Sequence, residues 1–175
     1  MRLDINDLKR GSLIVHEGDP YLMLSVKHVH IGRGGASTQS KIKNLRTGKV
    51  LDKTFKSADN VEEASIEKLD ALFIYERDSE YWFHEKSEKS KRFSLSGEAI
   101  GDQTKFLKTG IEVREFIFNG DVINVELPPK ADYKVIESPP SIKGNTSGGA
   151  NKVVTLESGA NVNVPLFIEE GDVIR

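Results

Sequence analysis

The stretch YLMLSVKHVHIGRGGASTQSKIKNL, residues 21–45, decides how the rest of the chain is read. Apolar and polar residues alternate up to Val29 and again from Gln39, the period-two pattern of strands with one covered face. Strands are predicted over 21–29 and 39–45, joined by about nine residues, a connection longer than a tight hairpin. Within it Arg33 stands among Gly32, Gly34 and Gly35. Glycine adds almost no bulk and accepts backbone angles that other residues resist, so Arg33 is predicted to end a narrow protrusion. A guanidinium is permanently charged, planar and a multiple donor, which suits phosphates and stacking on bases. By period two, His28 and His30 share a strand face and could add contacts to sugar or phosphate. The plain alternative is a flexible loop with a solvated arginine. GRGG lacks Walker spacing and opens no helix, which argues against a phosphate cradle. His28-x-His30 has no third ligand nearby, so no metal site is read there.

Further strands are predicted at 12–15 and 50–55, separated by turn chemistry at Glu17-Gly18-Asp19-Pro20 and Arg46-Thr47-Gly48-Lys49. Four short strands of mixed polarity fit a small antiparallel barrel. Residues 60–68 are acidic and weakly patterned, and are read as a junction. A second unit opens with a hairpin, 71–77 and 81–85, around Asp78-Ser79-Glu80. Leu95, Ala99, Ile100, Phe106 and Leu107 lie at partly helical spacing, so a helix is predicted over 95–108 with Gly110 as its stop. Strands return over 111–127 around Asn119-Gly120, a type I′ turn signal, and Pro128-Pro129 closes the unit. A third unit offers strand patterns at 133–138, 152–158 and 161–168, then GDVIR. The tetrapeptide GDVI occurs at both 120–123 and 171–174, which favours two related barrels in tandem.

The net charge of −2 hides an uneven distribution. Between residues 27 and 56 eight basic side chains face one acid, Asp52, whereas residues 65–127 carry nine basic and thirteen acidic groups. A basic early region on an acidic remainder is the footprint of local polyanion contact, although lysines also guard edge strands against aggregation. The chain has no cysteine, which removes disulfides, thiolate catalysis and cysteine-bound zinc together. No apolar run approaches the roughly 18 residues of a spanning helix, and the N-terminus has no signal-peptide core. No membrane partner is therefore expected, and a cytoplasmic location is the simplest expectation. Serine, histidine and acids occur in no nucleophile-elbow or metal-ligand spacing, so an enzyme is not expected. Trp82, Phe116 and Phe118 are read as core or sheet-face residues.

VHIGRGGASTQSKIKNLRTGKVLDKTFKSAD resembles the first domain of the bacterial translation elongation factor P family, where a PGKG tip precedes K-x-[KR]-N-L-x-TG-x-x-x-x-KTF. Lys41, Lys43, Asn44, Leu45, Thr47, Gly48, Lys53, Thr54 and Phe55 fall in that register. The resemblance continues through IGDQTKFL and FLKTG, and through 138–174 it is similar to the family's third-domain signature. It implies a mainly β fold of three small β-barrel domains in tandem. These would be a KOW/SH3-like barrel (1–64) followed by two OB-fold barrels (65–128 and 129–175), in an elongated, tRNA-like shape. It implies a non-catalytic monomer bound to both ribosomal subunits beside the P-site peptidyl-tRNA, relieving stalls at consecutive prolines. Arg33 would support the CCA end, flanked by His30, Ile31, Gly32, Gly34 and Gly35. Lys27, His28, Lys41, Lys43, Arg46 and Lys49 would contact tRNA or rRNA. The third-domain loop Lys143, Gly144, Asn145, Thr146, Ser147, Gly148 and Gly149 resembles the segment that faces the small subunit's E-site codon. A general RNA-binding barrel without stall specificity is the alternative.

The chain departs from the family pattern at several places. Arg33 replaces the usual tip lysine, so a modification that needs a primary amine cannot carry over. Rhamnosylation or another modification by a tip-modifying enzyme, or a bare arginine, all remain open. Ile31 replaces the usual proline, and Asn145 the usual aspartate. The family usually adds a further strand after the position of Arg175, so the third barrel is expected to lack its last strand. No cofactor or metal is implied.

Overall fold

A computed structural model of the protein describes residues 2–31, 35–140 and 151–175. The alternating patterns become three antiparallel sheets. The first, in the order β1-β6-β2-β3-β4-β5, comprises β1 (Arg2–Leu3), β2 (Leu13–His16), β3 (Asp19–Ile31), β4 (Gly35–Asn44), β5 (Val50–Lys56) and β6 (Val61–Glu63). The acidic stretch read as a junction therefore contains β6, which pairs with both β1 and β2. Val61, 1% exposed, anchors it in the core with Ile5, Leu8, Ile14, Met23 and Ile42, so one buried valine outweighs the acids around it. The expected nine-residue connection is shorter as well. The β3–β4 ladder continues to His30↔Ala36 and Ile31↔Gly35.

The second sheet, β11-β10-β7-β8-β9, comprises β7 (Glu67–Arg77), β8 (Glu80–Glu85), β9 (Arg92–Ser96), β10 (Glu112–Phe118) and β11 (Asp121–Glu126). The helix expected over 95–108 does not form as one element. Leu95 belongs to β9, a single turn α1 (Gly97–Ile100) follows, and a 3-10 segment (Gly101–Phe106) completes the crossing. Ser96 caps α1 by accepting from the Ala99 amide, and Gly101 ends it at φ +70. Leu95, Ile100 and Leu107 are buried because each plugs the barrel core, not because they share a helix stripe. The Asn119-Gly120 turn has both residues at positive φ, 52° and 87°, as a type I′ hairpin requires.

The third sheet, β14-β13-β12-β15, comprises β12 (Tyr133–Glu137), β13 (Asn151–Leu156), β14 (Asn161–Pro165) and β15 (Val173–Ile174). Its hydrogen bonds identify the true repeat. In the second sheet the Gly110 amide donates to the Phe73 carbonyl and Phe73 N to Ile111 O; in the third, Gly171 N donates to Val135 O and Val135 N to Asp172 O. Gly171 is thus the counterpart of Gly110, not of Gly120, and the matching GDVI tetrapeptides occupy different places in their barrels. β15 stands where β10 stands, and no strand among the described residues pairs with its outer edge as β11 pairs with β10. A cleft of about 630 Å³ lies beside that edge, lined by Phe106, Leu127, Tyr133, Val162 and Ile174 among others.

The sheets share apolar seams. Ala64, Phe118 and Ile123 are buried between the first and second, with Leu13, Val15 and Leu45 against them. A continuous cluster joins the second to the third, where the Tyr133 hydroxyl donates to the Phe106 carbonyl at 2.8 Å. Lys108 donates there to the Asp132 carbonyl and to Glu157, at 2.7 and 2.9 Å.

Candidate nucleic-acid interface

Alternation along β3, β4 and β5 sorts the basic residues by face. On β4, Thr38, Ser40, Ile42 and Asn44 are buried while Gln39, Lys41 and Lys43 are exposed. A register shift between Met23 and Ser25 keeps β3 in phase, so Lys27 opposes Gln39 and Ser25 opposes Lys41 on the outer face. On β5, Asp52 opposes Lys41 and Thr54 opposes Gln39. Together these form a shallow groove of about 340 Å³ across three strands, lined by Ser25, Lys27, Gln39, Lys41, Asp52, Lys53 and Thr54. Among the described residues the one ion pair across it, Lys41 with Asp52, is long at 3.9 Å and solvated, so the lysines keep their charge available to an incoming anion.

Further down the same face Leu13, Leu22 and Lys43 form a row that turns toward the second sheet. There they meet Leu45, Phe116, Asn124 and Lys68. Lys43 therefore sits at the boundary between the open groove and the seat of the second barrel. Asn124 ties that seat with two donor bonds, to the Leu45 carbonyl at 2.9 Å and to the Ala99 carbonyl at 3.1 Å.

The structure separates the two neighbouring residues Lys27 and His28. Lys27 faces the groove. His28 lies on the opposite face, directly across from buried Thr38, with Nδ1 3.0 Å from Thr38 Oγ1. Arg46 is engaged through one nitrogen of its part-exposed guanidinium. Its Nε donates to Asp19 Oδ1 at 3.1 Å, while Asn44 Nδ2 donates to Asp19 Oδ2 and Asn44 Oδ1 accepts the Arg46 and Thr47 amides. Arg46 thus helps lock the turn, and Lys49 beside it is exposed. Lys56, opposite Ser37 at the upper end of β5, is an exposed base at the edge of this surface. Its place follows from period two counted forward from Thr54, a signal legible in the sequence.

Arg33, Gly32 and Gly34 lie outside the described residues, as does the loop of Lys143, Gly144, Asn145, Thr146, Ser147, Gly148 and Gly149. His30, Ile31 and Gly35 are placed by their backbone pairing, which carries the ribbon two pairs beyond the last β4–β5 pair, Ser37↔Lys56. The base of the tip is therefore backed by a third strand and, through Thr38 and the Ile5 carbonyl, by the segment that plugs the barrel.

Among the described residues no group of three or more His, Asp or Glu side chains is placed to hold a metal. Trp82 is half-buried on the outer face of β8, stacked on Tyr75 with ring centroids 6.1 Å apart, while Phe118 lies in the core. No helix among the described residues is long and apolar enough to cross a membrane.

Two family models match, the elongation factor P KOW-like domain over residues 4–61 and the elongation factor P C-terminal domain over residues 132–175. The chain is 39% identical over 175 residues to elongation factor P of Persephonella marina, covering all of this chain and 92% of that one. It is 38% identical over 173 residues to elongation factor P of Moorella thermoacetica, covering 99% and 93%. Among solved structures, translation initiation factor 5A from Methanococcus jannaschii aligns with a TM-score of 0.53 at 15% identity, over 73% of this chain and 94% of that one. That likeness speaks for the fold alone. With two family models spanning more than half of its length and full-length relatives above 35% identity, the chain belongs to the elongation factor P family.

Proposed function

We propose that this translation factor binds the ribosome beside the peptidyl-tRNA and promotes peptide-bond formation where consecutive prolines stall synthesis, with Arg33 supporting the CCA end. The ribosome performs the chemistry. Proline is a poor and awkwardly oriented nucleophile, so a misplaced tRNA end costs rate, and bracing that end restores the reactive geometry. The observation that carries this proposal is the groove of Lys27 and Lys41 on the β3–β4–β5 face, continuous with a ribbon that leads toward Arg33. Lysines there meet the phosphates of an acceptor stem as point charges, and a planar guanidinium at the tip suits the terminal bases. A backed ribbon loses little freedom on binding, which favours a rigid prop over an induced one.

Lys43, Lys49 and, at its turn, Arg46 extend the same contact toward rRNA. The loop 143–149 is assigned to the small subunit. Arg33 takes one of three forms, rhamnosylated, otherwise modified or bare, and the intact mass of natively expressed protein distinguishes them. The chain acts as a monomer in the cytoplasm.

Pelleting with ribosomes tests this assignment. Ribosomes carrying P-site peptidyl-tRNA should retain the protein at salt concentrations that strip it from vacant ribosomes and from bulk RNA. Equal retention on all three would favour the general RNA-binding barrel instead.

A further inference from the structure

The second barrel holds a carboxylate for which the proposed ribosomal role has no use. Glu115 lies on β10 between Leu69 of β7 and Val125 of β11, with its side chain turned to the same face as buried Val113. It has 0% exposure, and among the described residues neither carboxylate oxygen has a hydrogen-bond partner. A buried, unpaired carboxylate is among the costliest groups a core can hold, and taking up a proton is its cheapest escape.

The charged groups around it sharpen that cost. Glu67 comes from β7 and Glu85 from β8, both like charges, and among the described residues only Lys91, just before β9, opposes them. Lys91 is already committed, at 3.5 Å from Glu85 and 3.3 Å from Glu88. β11 offers Val125 opposite Glu115, and the flanking Glu112, Arg114 and Glu126 are exposed. β10 is also the strand that seats the first sheet: its ladder with β11 shifts register between Phe116 and Ile117, and Phe118 is buried against Ala64 and Ile123.

We propose that Glu115 is a proton-operated brace of the second barrel, accommodated when protonated and loosening β10, and with it the seat of the first sheet, when ionised. Burial first, then the charges of Glu85 and Glu67, push its carboxyl from 4.5 up to about 7. Below 4.5 the folded and unfolded chains both carry the proton, and stability is at its full value. As pH rises from 4.5 toward 7 the unfolded chain gives up the proton and the folded one keeps it, so folding becomes steadily less favourable. Above about 7 both are ionised, and the loss is complete.

The test is a pair of measurements on the full chain. Trp82, the chain's single tryptophan, sits on β8 and reports this barrel by its fluorescence in urea. Between pH 5.5 and 8 the unfolding constant of wild type should rise roughly thirtyfold more than that of Glu115→Gln, about tenfold per pH unit up to about 7. Equal pH dependence in the two proteins overturns the proposal. Carbon-13 titration of the glutamate carboxyls in the native protein decides it independently if the variant does not fold. One carboxyl titrating near 7 and absent from Glu115→Asp spectra, or from a Glu115→Leu protein, supports the brace; every carboxyl titrating near 4.5 overturns it.

Discussion

Thr38 fixes the orientation of His28. The threonine hydroxyl has one hydrogen and gives it to the Ile5 carbonyl at 3.1 Å, so the 3.0 Å contact with His28 must be a donation from histidine Nδ1. The ring is therefore held with Nδ1 protonated. This chain of bonds runs from the plug segment, through the sheet, to a position just below the tip. Replacing Thr38 with Val keeps the shape and removes both bonds from a site 1% exposed. We expect a stability loss of about 1–3 kcal/mol by chemical denaturation. We also expect the His28 nitrogen shifts to move toward a mixture of tautomers. Unchanged stability and unchanged shifts would show that the bonds do not brace the ribbon.

Asp19 plays a similar part at the other end of the hairpin. It accepts from both Asn44 and Arg46, which hold the 44–49 turn. Asp19→Ala should cost about 1 kcal/mol, since the ion pair is partly exposed and the hydrogen bond to Asn44 carries most of the effect. It should also free Arg46, so that binding to ribosomes becomes slightly tighter at low salt. Weaker binding at low salt would place Arg46 outside the RNA-contacting surface.

Asn124 is the polar rivet of the first seam. Asn124→Ala leaves the Leu45 and Ala99 carbonyls without that partner and should cost about 1–2 kcal/mol. Because the apolar seat of Phe118 and Ile123 remains, the barrels should stay folded while proteolysis between residues 63 and 67 accelerates. Protease resistance equal to wild type would mean that the apolar contacts alone hold the seam.

The second seam should respond to acid. Lys108 and the Lys134 amide both donate to Glu157, and the lysine bond chiefly holds this carboxyl below its usual range. A depressed carboxyl contributes stability above 4.5 and loses it as pH falls through the folded value. Glu157→Gln should therefore remove a pH-dependent component that wild type shows only below about 4.5, read from the heat-induced transition. Identical acid profiles would exclude the pair as a contributor.

Much of the strand content was legible because period two survives wherever one face is covered, as with Gln39, Lys41 and Lys43 against Ser40 and Ile42. The type I′ turn was legible in two residues, Asn119 and Gly120, because its backbone admits few others. The helix was misread because a barrel core accepts apolar residues from any geometry that reaches it. Leu95, Ile100 and Leu107 arrive there from a strand, a helical turn and a loop. β6 was missed because it is short and its two glutamates are exposed, leaving Val61 as the lone inward residue. The GDVI match favoured two related barrels, which do form, but four residues do not encode a place in a barrel; the backbone bonds of Gly110 and Gly171 do. For the candidate site, the basic stretch was visible and period two already parts Lys27 from His28, but which of them faces outward depends on the register shift between Met23 and Ser25. Nothing in EVREFIF announces that Glu115 turns inward. It stands in phase with Val113, but its charge argues for the outer face.

The proposed prop of the tRNA end by a cation at position 33 is read out by stalled synthesis. In a reconstituted translation reaction, wild-type protein should accelerate a template with a proline run, and Arg33→Ala should lose most of that acceleration while still binding ribosomes. A proline-free template should be translated equally with either protein. If Arg33→Ala accelerates the proline template as well as wild type does, position 33 is not the working end of this molecule.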